Sequence, residues 1–285
     1  KGAHVEVPAG EGRLPKHYSI EKFNTYIIEL LLKNGAKVDV PDGDGRLPIH
    51  NACEKGKLNL VELLTTNGAK FDSPDTGGQL PMHYACRNDW YGDEIILFLW
   101  RQGAKVDVPD GNGRMPIHYA CDYQDLAVDE IPQNNTAKVN LPDGNHQLPT
   151  PYAFKKWHKA IIEVLIKNGA KVDVPDGNGR LPIHYACENE SLKTVELLAT
   201  HGAKLDVPDG IGQLPIHCAF EKWNTDIIIV LVKNGAKVDV PHLKGWLPIH
   251  YACEKGRLNM VELLATNGAK FDVSDRGGQL PMHYA

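Results

Sequence analysis

The residues best able to do chemistry in this chain are its thirteen histidines, six cysteines and many Asp-Gly turns. Histidine suits proton transfer and metal binding near neutral pH. Seven histidines recur in one register, at His17, His50, His83, His118, His184, His217 and His250, with His283 as an eighth. Catalysis needs one unique constellation with a partner in reach, so recurrence in every repeat points to a structural role. Asp42-Gly43-Asp44-Gly45 and its relatives resemble calcium loops in composition. They lack the alternating acidic positions and distal Glu that a calcium loop requires, and Asp-Gly is good turn chemistry in its own right. Asn134-Asn135-Thr136 and Asn189-Glu190-Ser191 are sequon matches of the kind a chain this long carries by chance. No catalytic residue, cofactor-binding residue, metal ligand or small-molecule substrate is expected.

The bulk properties agree. A net charge of −5 and a pI near 6.2 lack the basic footprint of a nucleic-acid binder. No stretch approaches the roughly 18 apolar residues that read as a membrane span, so no membrane insertion is expected. Five cysteines (Cys53, Cys86, Cys121, Cys187, Cys253) share a His-x-Ala context, and Cys218 sits one residue after His217. Equivalent positions in stacked helices lie about 8–10 Å apart, beyond the roughly 7 Å reach of a disulfide. The cysteines therefore read as small buried hydrophobes, which fits a reducing compartment such as the cytoplasm.

The elements that carry these residues repeat. Gly-Ala-Lys-Val-Asp-Val-Pro begins at Gly35, Gly103, Gly169 and Gly235, with near copies at Gly2, Gly68, Gly202 and Gly268 and a degraded one at Thr136. Most steps are 33 residues, and the step from Gly68 to Gly103 is 35 because of two extra residues near Trp90-Tyr91. Fixed self-similarity at this period marks a repeat architecture. In residues 176–208, Asp176-Gly177-Asn178-Gly179 predicts a turn. Pro182 opens a helix at a position where its missing N–H costs little. A second helix carries Val195, Leu197 and Leu198, and Gly202 ends it. Such short helices are marginal alone and gain a core only by stacking on neighbours.

These motifs resemble the ankyrin repeat: Leu47-Pro48-Ile49-His50-x-Ala52 at a first helix, Leu63-Leu64 in a second, and Gly68-Ala69 before a hairpin, repeated nearly end to end. The resemblance implies an all-α solenoid of stacked helix-turn-helix repeats joined by short β-hairpins. It also implies that the recurrent His orders its turn by hydrogen bonding to backbone. Leu stands where the family has Thr, which removes a capping hydroxyl, so the cap must come from elsewhere. Asn140 occupies a hairpin position whose Asn or Asp is hydroxylated in some family members, and it reads here as a polar hairpin residue.

A longer period overlies the shorter one. Residues 42–85 and 242–285 are identical at roughly three quarters of positions, and 9–41 matches 209–241 at the same offset of 200. The reading is one continuous array over 1–285, with repeats near 9–41, 42–74, 75–109, 110–142, 143–175, 176–208, 209–241 and 242–274 and partial repeats at both ends. Six of them make a super-repeat of 200 residues. The chain starts at Lys1-Gly2-Ala3-His4 without an initiator Met or leader, and Gln279–Ala285 lacks the polar outer face of a terminal repeat. It is expected to be a window on a longer array or a protomer stacked end to end.

Departures from uniformity are the candidate contacts. Phe23, Trp157 and Trp223 replace the family's Gly at the turn between helices, and Trp90 and Tyr91 flank the insertion. Packing inside the stack and anchoring a lateral partner both suit such aromatics. The least regular region is 122–158. Pro132 falls where a buried Leu belongs and Pro151 where the recurrent His belongs, which makes them candidate bend positions. The hairpin row barely varies, which suits recent duplication and a periodic structural surface alike. The function expected is non-catalytic protein–protein contact, as a scaffold that self-associates into a long or filamentous assembly. The alternatives are a cytosolic adaptor binding a distinct protein on its concave face, or the ankyrin segment of a larger enzyme or channel.

Overall fold

The computed structural model describes residues 25–88, 92–123, 139–242 and 245–285. Phe23, Trp90, Tyr91 and Pro132 lie outside them. Fourteen α-helices occur among the described residues, numbered here in chain order, followed by a 3-10 turn at Pro281–Tyr284. Seven helices open on proline: α2 (Pro48–Glu54), α4 (Pro81–Ala85), α6 (Pro116–Tyr123), α7 (Pro149–Lys156), α9 (Pro182–Glu188), α11 (Pro215–Lys222) and α13 (Pro248–Glu254). The other seven are the more aliphatic partners: α1 (Thr25–Lys33), α3 (Leu58–Thr66), α5 (Gly92–Arg101), α8 (Lys159–Lys167), α10 (Leu192–Thr200), α12 (Thr225–Lys233) and α14 (Leu258–Thr266).

The chain divides into two compact units, Lys1–Val164 and Leu165–Ala285, with the boundary inside α8. Within the first, α2, α4, α6 and α7 pack in series and α1, α3 and α5 pack in a second series. Within the second, α9, α11 and α13 form one series and α10, α12 and α14 the other. The apolar stripes meet between the series, where Ile49, Ala52, Leu60 and Val61 in one unit, and Ile183, Ala186, Val195 and Leu198 in the other, are fully buried. Each buried Ile, Leu or Val contributes about 1.5–3 kcal/mol, which holds helices too short to stand alone. All six cysteines are free and buried. Burial pushes the Cys86 and Cys218 thiols up to about 12, so they stay protonated and act as packing.

The missing threonine cap has a replacement. In α2 the backbone N–H of Leu47 donates to Nδ1 of His50 at 2.9 Å. The same bond closes α4 (Leu80 to His83), α9 (Leu181 to His184), α11 (Leu214 to His217) and α13 (Leu247 to His250). A side chain three residues into the helix thus reaches back to satisfy one of the orphan N–H groups of the helix start.

The connections differ from the expected β-hairpins, because no strand forms among the described residues. In the loop at Asp42 the N–H of Asp42 donates to the Arg46 carbonyl at 3.0 Å, the start of an antiparallel pair. The return bond is never made, since the Arg46 N–H donates to the Asp42 carboxylate instead, at 2.9 Å. The aspartates that make these good turn sequences take the donors a ladder would need, and the prolines beside them supply none. Loops bond to one another across repeats, as Gly111 N–H to the Gly77 carbonyl at 2.8 Å. A Cβ on Gly111 would lie 2.8 Å from that same oxygen, so the close approach requires glycine.

Candidate interaction surface

Apart from the loop at His242, each described loop is organised by one aspartate. Asp176 Oδ1 accepts the N–H groups of Asn178 and Arg180, both at 2.9 Å. Asp176 Oδ2 accepts the hydroxyl of Tyr185, nine residues on, at 2.6 Å. The same Asp–Tyr bond recurs at Asp75–Tyr84, Asp110–Tyr119, Asp143–Tyr152 and Asp275–Tyr284, at 2.6 to 2.9 Å. Burial alone would raise Asp110, Asp143 and Asp176, but the tyrosine hydroxyls and loop N–H groups outweigh it and hold them below the ordinary carboxylate range. Burial and the same bonds push Tyr152 and Tyr185 up to about 12. An Asp with both oxygens engaged in this way is a turn organiser with little left for a metal. Among the described residues, no group of three His, Cys, Asp or Glu side chains is gathered as metal ligands.

Behind the loops runs a histidine relay. With Nδ1 accepting the backbone N–H three residues before it (Leu, or Met115 for His118), the proton sits on Nε2, which faces a carbonyl of the following repeat: His50 to Gln79, His83 to Arg114, His118 to Gln147, His184 to Gln213 and His250 to Gln279, at 2.9 to 3.2 Å. Both nitrogens are used, so the ring joins two repeats and has neither a proton to transfer nor a lone pair for a metal. Burial lowers the pKa of His50, His83, His118 and His184, and takes His217 to about 4. His217 reaches the Val240 carbonyl at 2.9 Å instead. Next to it, His242 stands where other loops have Asp; its ring centroid is 5.2 Å from that of His217, and its Nε2 is 3.6 Å from Glu221.

Guanidinium groups are slotted between the tyrosines. Arg87 lies 4.6 Å from the Tyr119 ring centroid and 5.3 Å from that of Tyr84, while Arg114 lies 4.3 Å from Tyr119 and 5.1 Å from Tyr152. In the loop at His242, Trp246 takes the place of Arg114. Its Nε1 donates to Asp275 at 3.0 Å and its ring centroid lies 4.9 Å from those of both Tyr251 and Tyr284. Sequence reasoning missed the Asp–Tyr pairs and Trp246. The signal was available as a Tyr nine residues after the loop Asp, repeated in five loops.

Of the candidate contacts picked from sequence, Trp157 and Trp223 are described. Both end their helices in the left-handed region, at φ 60° and 55°. Both pack edge-on against an aromatic of the same turn, Phe154 at 6.2 Å and Phe220 at 5.8 Å. Both stay half-buried. The two are placed separately, one in each compact unit. Pro151 is buried in the first turn of α7, and the helix runs unbroken to Lys156. First-turn N–H groups have no partner inside the helix, so a proline is accommodated there. Beside it Thr150 is fully buried, and its hydroxyl has no hydrogen-bond partner.

The hairpin surface is uniform. Lys70, Lys105, Lys204 and Lys237 extend into solvent while their backbone N–H groups donate to Asp39, Asp72, Asp173 and Asp206 of the preceding repeat, at 2.8 to 3.2 Å. No helix among the described residues is long and apolar enough to cross a membrane.

The family profile described as ankyrin repeats (3 copies) matches residues 16–110, 50–143, 117–209, 152–242 and 216–285. No curated protein matches the chain. Ankyrin-repeat proteins are in general non-catalytic and mediate protein–protein contacts. On the profile matches, the proline-opened helix pairs and the histidine-closed turns together, the chain belongs to the ankyrin-repeat family.

Proposed function

We propose that this protein is a non-catalytic scaffold that self-associates into a long assembly, with no cofactor and no small-molecule substrate. The reading is carried by the hairpin row. Within each compact unit, exposed lysines alternate with aspartates from repeat to repeat, each Asp fixed by its bond to the next repeat's Lys N–H. A periodic row of alternating charge is complementary to a second copy of itself, and a contact between two different patches of like subunits propagates into open filaments when it does not close. The duplication at an offset of 200 residues supports the same reading, since it repeats near-identical residue patterns along the sequence.

The test is sedimentation and negative-stain microscopy over a range of protein and salt concentrations. Self-association that weakens with salt, and is lost in the combined Lys70→Glu, Lys105→Glu, Lys204→Glu and Lys237→Glu variant, supports it. A monomer of 31.5 kDa under every condition overturns it. The second reading, an adaptor for a distinct protein, is favoured by one feature, a groove lined by Trp223, Ile229, Lys233 and Arg257.

A further inference from the structure

The repeats alternate in kind. Phe23, Trp157 and Trp223 stand at the turn between helices, and Trp90 stands beside it in the repeat with the insertion, so an aromatic recurs in every second repeat. The intervening repeats have Gly56, Glu190 and Gly256 at that turn. The alternation extends to the loops, where Arg46, Gln79, Arg114, Gln147, Arg180 and Gln213 follow one another. Phe154 and Phe220, which pack against the two described indoles, stand where the intervening repeats have Cys121, Cys187 and Cys253. Two kinds of turn therefore succeed one another, one bearing an aromatic and one without.

The aromatic is kept in spite of the backbone. Trp157 and Trp223 lie at φ 60° and 55°, a region strained for any residue but glycine. Gly56 and Gly256 make the same turn at 64° and 59° without that strain. Packing edge-on against Phe154 or Phe220 leaves each indole half-buried, with ring surface still open to a partner.

The glycine turn has a pocket of its own. At Gly56 about 370 Å³ opens between α1, α3 and α5, in the first compact unit. Thr25 of the repeat before and Glu94 of the repeat after both line it, so the pocket persists inside a stack. Leu58 and Leu60 supply apolar wall, Lys57 a cation for a ring face, and Glu94 an acceptor for an N–H. That set matches an indole, an apolar body with a single donor and a face that attracts cations. The volume is that of a site for one small group.

We propose that copies of this chain dock turn to turn, the Trp223 indole of one copy seated in the Gly56 pocket of the next. Indole and pocket are different patches of like subunits, the kind of contact that propagates when it does not close. The proposal rests on the self-association reading and gives that assembly a second contact, at the opposite ends of the helices from the hairpin row.

The test is sedimentation velocity over a range of protein concentrations. Trp157→Gly with Trp223→Gly removes the indoles, and Gly56→Trp with Gly256→Trp fills the glycine turns; each puts in a residue that this turn already holds elsewhere in the chain. Each variant alone should associate about tenfold or more weakly than the native chain. A mixture of the two should regain association, since one keeps the indoles and the other keeps the pocket. Glu190→Gly relaxes the same backbone position without touching an indole and should leave association within about twofold. Circular dichroism checks that the variants keep their helices; should the first lose them, Gly56→Trp with Gly256→Trp decides. Unchanged association in both variants, or a mixture no stronger than its parts, overturns the proposal and leaves the hairpin row standing. A native chain that stays monomeric refutes the self-association reading. The seat is then read by fluorescence anisotropy with a labelled peptide of residues 216–227. Saturable binding that is lost in Gly56→Trp supports it, while no binding, or binding that survives Gly56→Trp, overturns it.

Discussion

Acidification should unfold this protein through its histidine relay before its carboxylates are touched. His217 is fully buried, its Nδ1 accepts the Leu214 N–H at 3.1 Å, and its Nε2 faces the Val240 carbonyl at 2.9 Å. A second proton on this ring would sit on Nδ1, where it would break the cap and leave a buried charge beside His242. Burial, with the nearby His242, takes its pKa to about 4 against 6.5 in an unfolded chain. Above pH 6.5 the ring is neutral in both states and stability is flat. Below pH 6.5 the unfolded chain binds the proton and the folded one does not, so stability falls with pH until the folded ring titrates near 4. Between pH 8 and pH 5 the loss from His217 alone is about 2 kcal/mol. His50, His83, His118 and His184 are lowered too and act in the same direction. The loop carboxylates Asp110, Asp143 and Asp176 are held below 3.8, so their contribution is lost only at lower pH. The assay is urea unfolding at pH 8 and pH 5 for the native chain and His217→Gln, with the ring protons of His217 titrated by NMR. The variant starts weaker but should lose about 2 kcal/mol less than the native chain on acidification. Equal losses in the two proteins, or a His217 that titrates near 6.5, would refute the reasoning.

Three further outcomes follow from the packing. Thr150→Val removes the buried unpartnered hydroxyl at a position where other repeats carry Ile, and should raise stability by about 1 kcal/mol in denaturant melts. Gly111→Ala sets a methyl 2.8 Å from the Gly77 carbonyl and should cost about 1–3 kcal/mol. Gly77→Ala meets only its own loop's Asp75 side chain, at 3.3 Å, and should cost no more than about 0.5 kcal/mol; equal costs would remove the loop-to-loop contact from the explanation. The six thiols should react slowly with a disulfide reagent in the native protein and all react in guanidinium, because they are buried and protonated. Fast reaction of Cys53 or Cys121 under native conditions would contradict the core assignment.

Much of the fold was legible in the residues. Pro182 and its counterparts start the first helices, and Gly202 and its counterparts follow the last turn of the second at positive φ. The histidine register pointed to a structural role because a residue repeated in turn after turn, with Pro151 the exception, must answer a need that those turns share. The need itself was not legible: that Nδ1 replaces the missing threonine cap follows from how far a histidine reaches back along its own helix. The hairpins were misread for a related reason. Asp-Gly correctly signalled a turn, but the carboxylate then captured the N–H that would have extended the pair into strands. The candidate surface was half visible, as Trp223 stands out where Gly56 and Gly256 mark the usual residue, while the groove behind it draws Ile229 and Leu263 from two helices more than thirty residues apart.

What the sequence alone determined is the period: a 33-residue unit with two helices, repeated until each apolar stripe has a neighbour to bury it, and an overlying period of 200. Local chemistry suffices for that, because helix starts, turns and stops depend on residues within a few positions. What only the tertiary structure decided is where polar groups spend their hydrogen bonds. Whether a histidine is a base or a staple, and an aspartate a ligand or a turn organiser, depends on partners in the next repeat. Such contacts span repeats, and no spacing read along one chain can supply them.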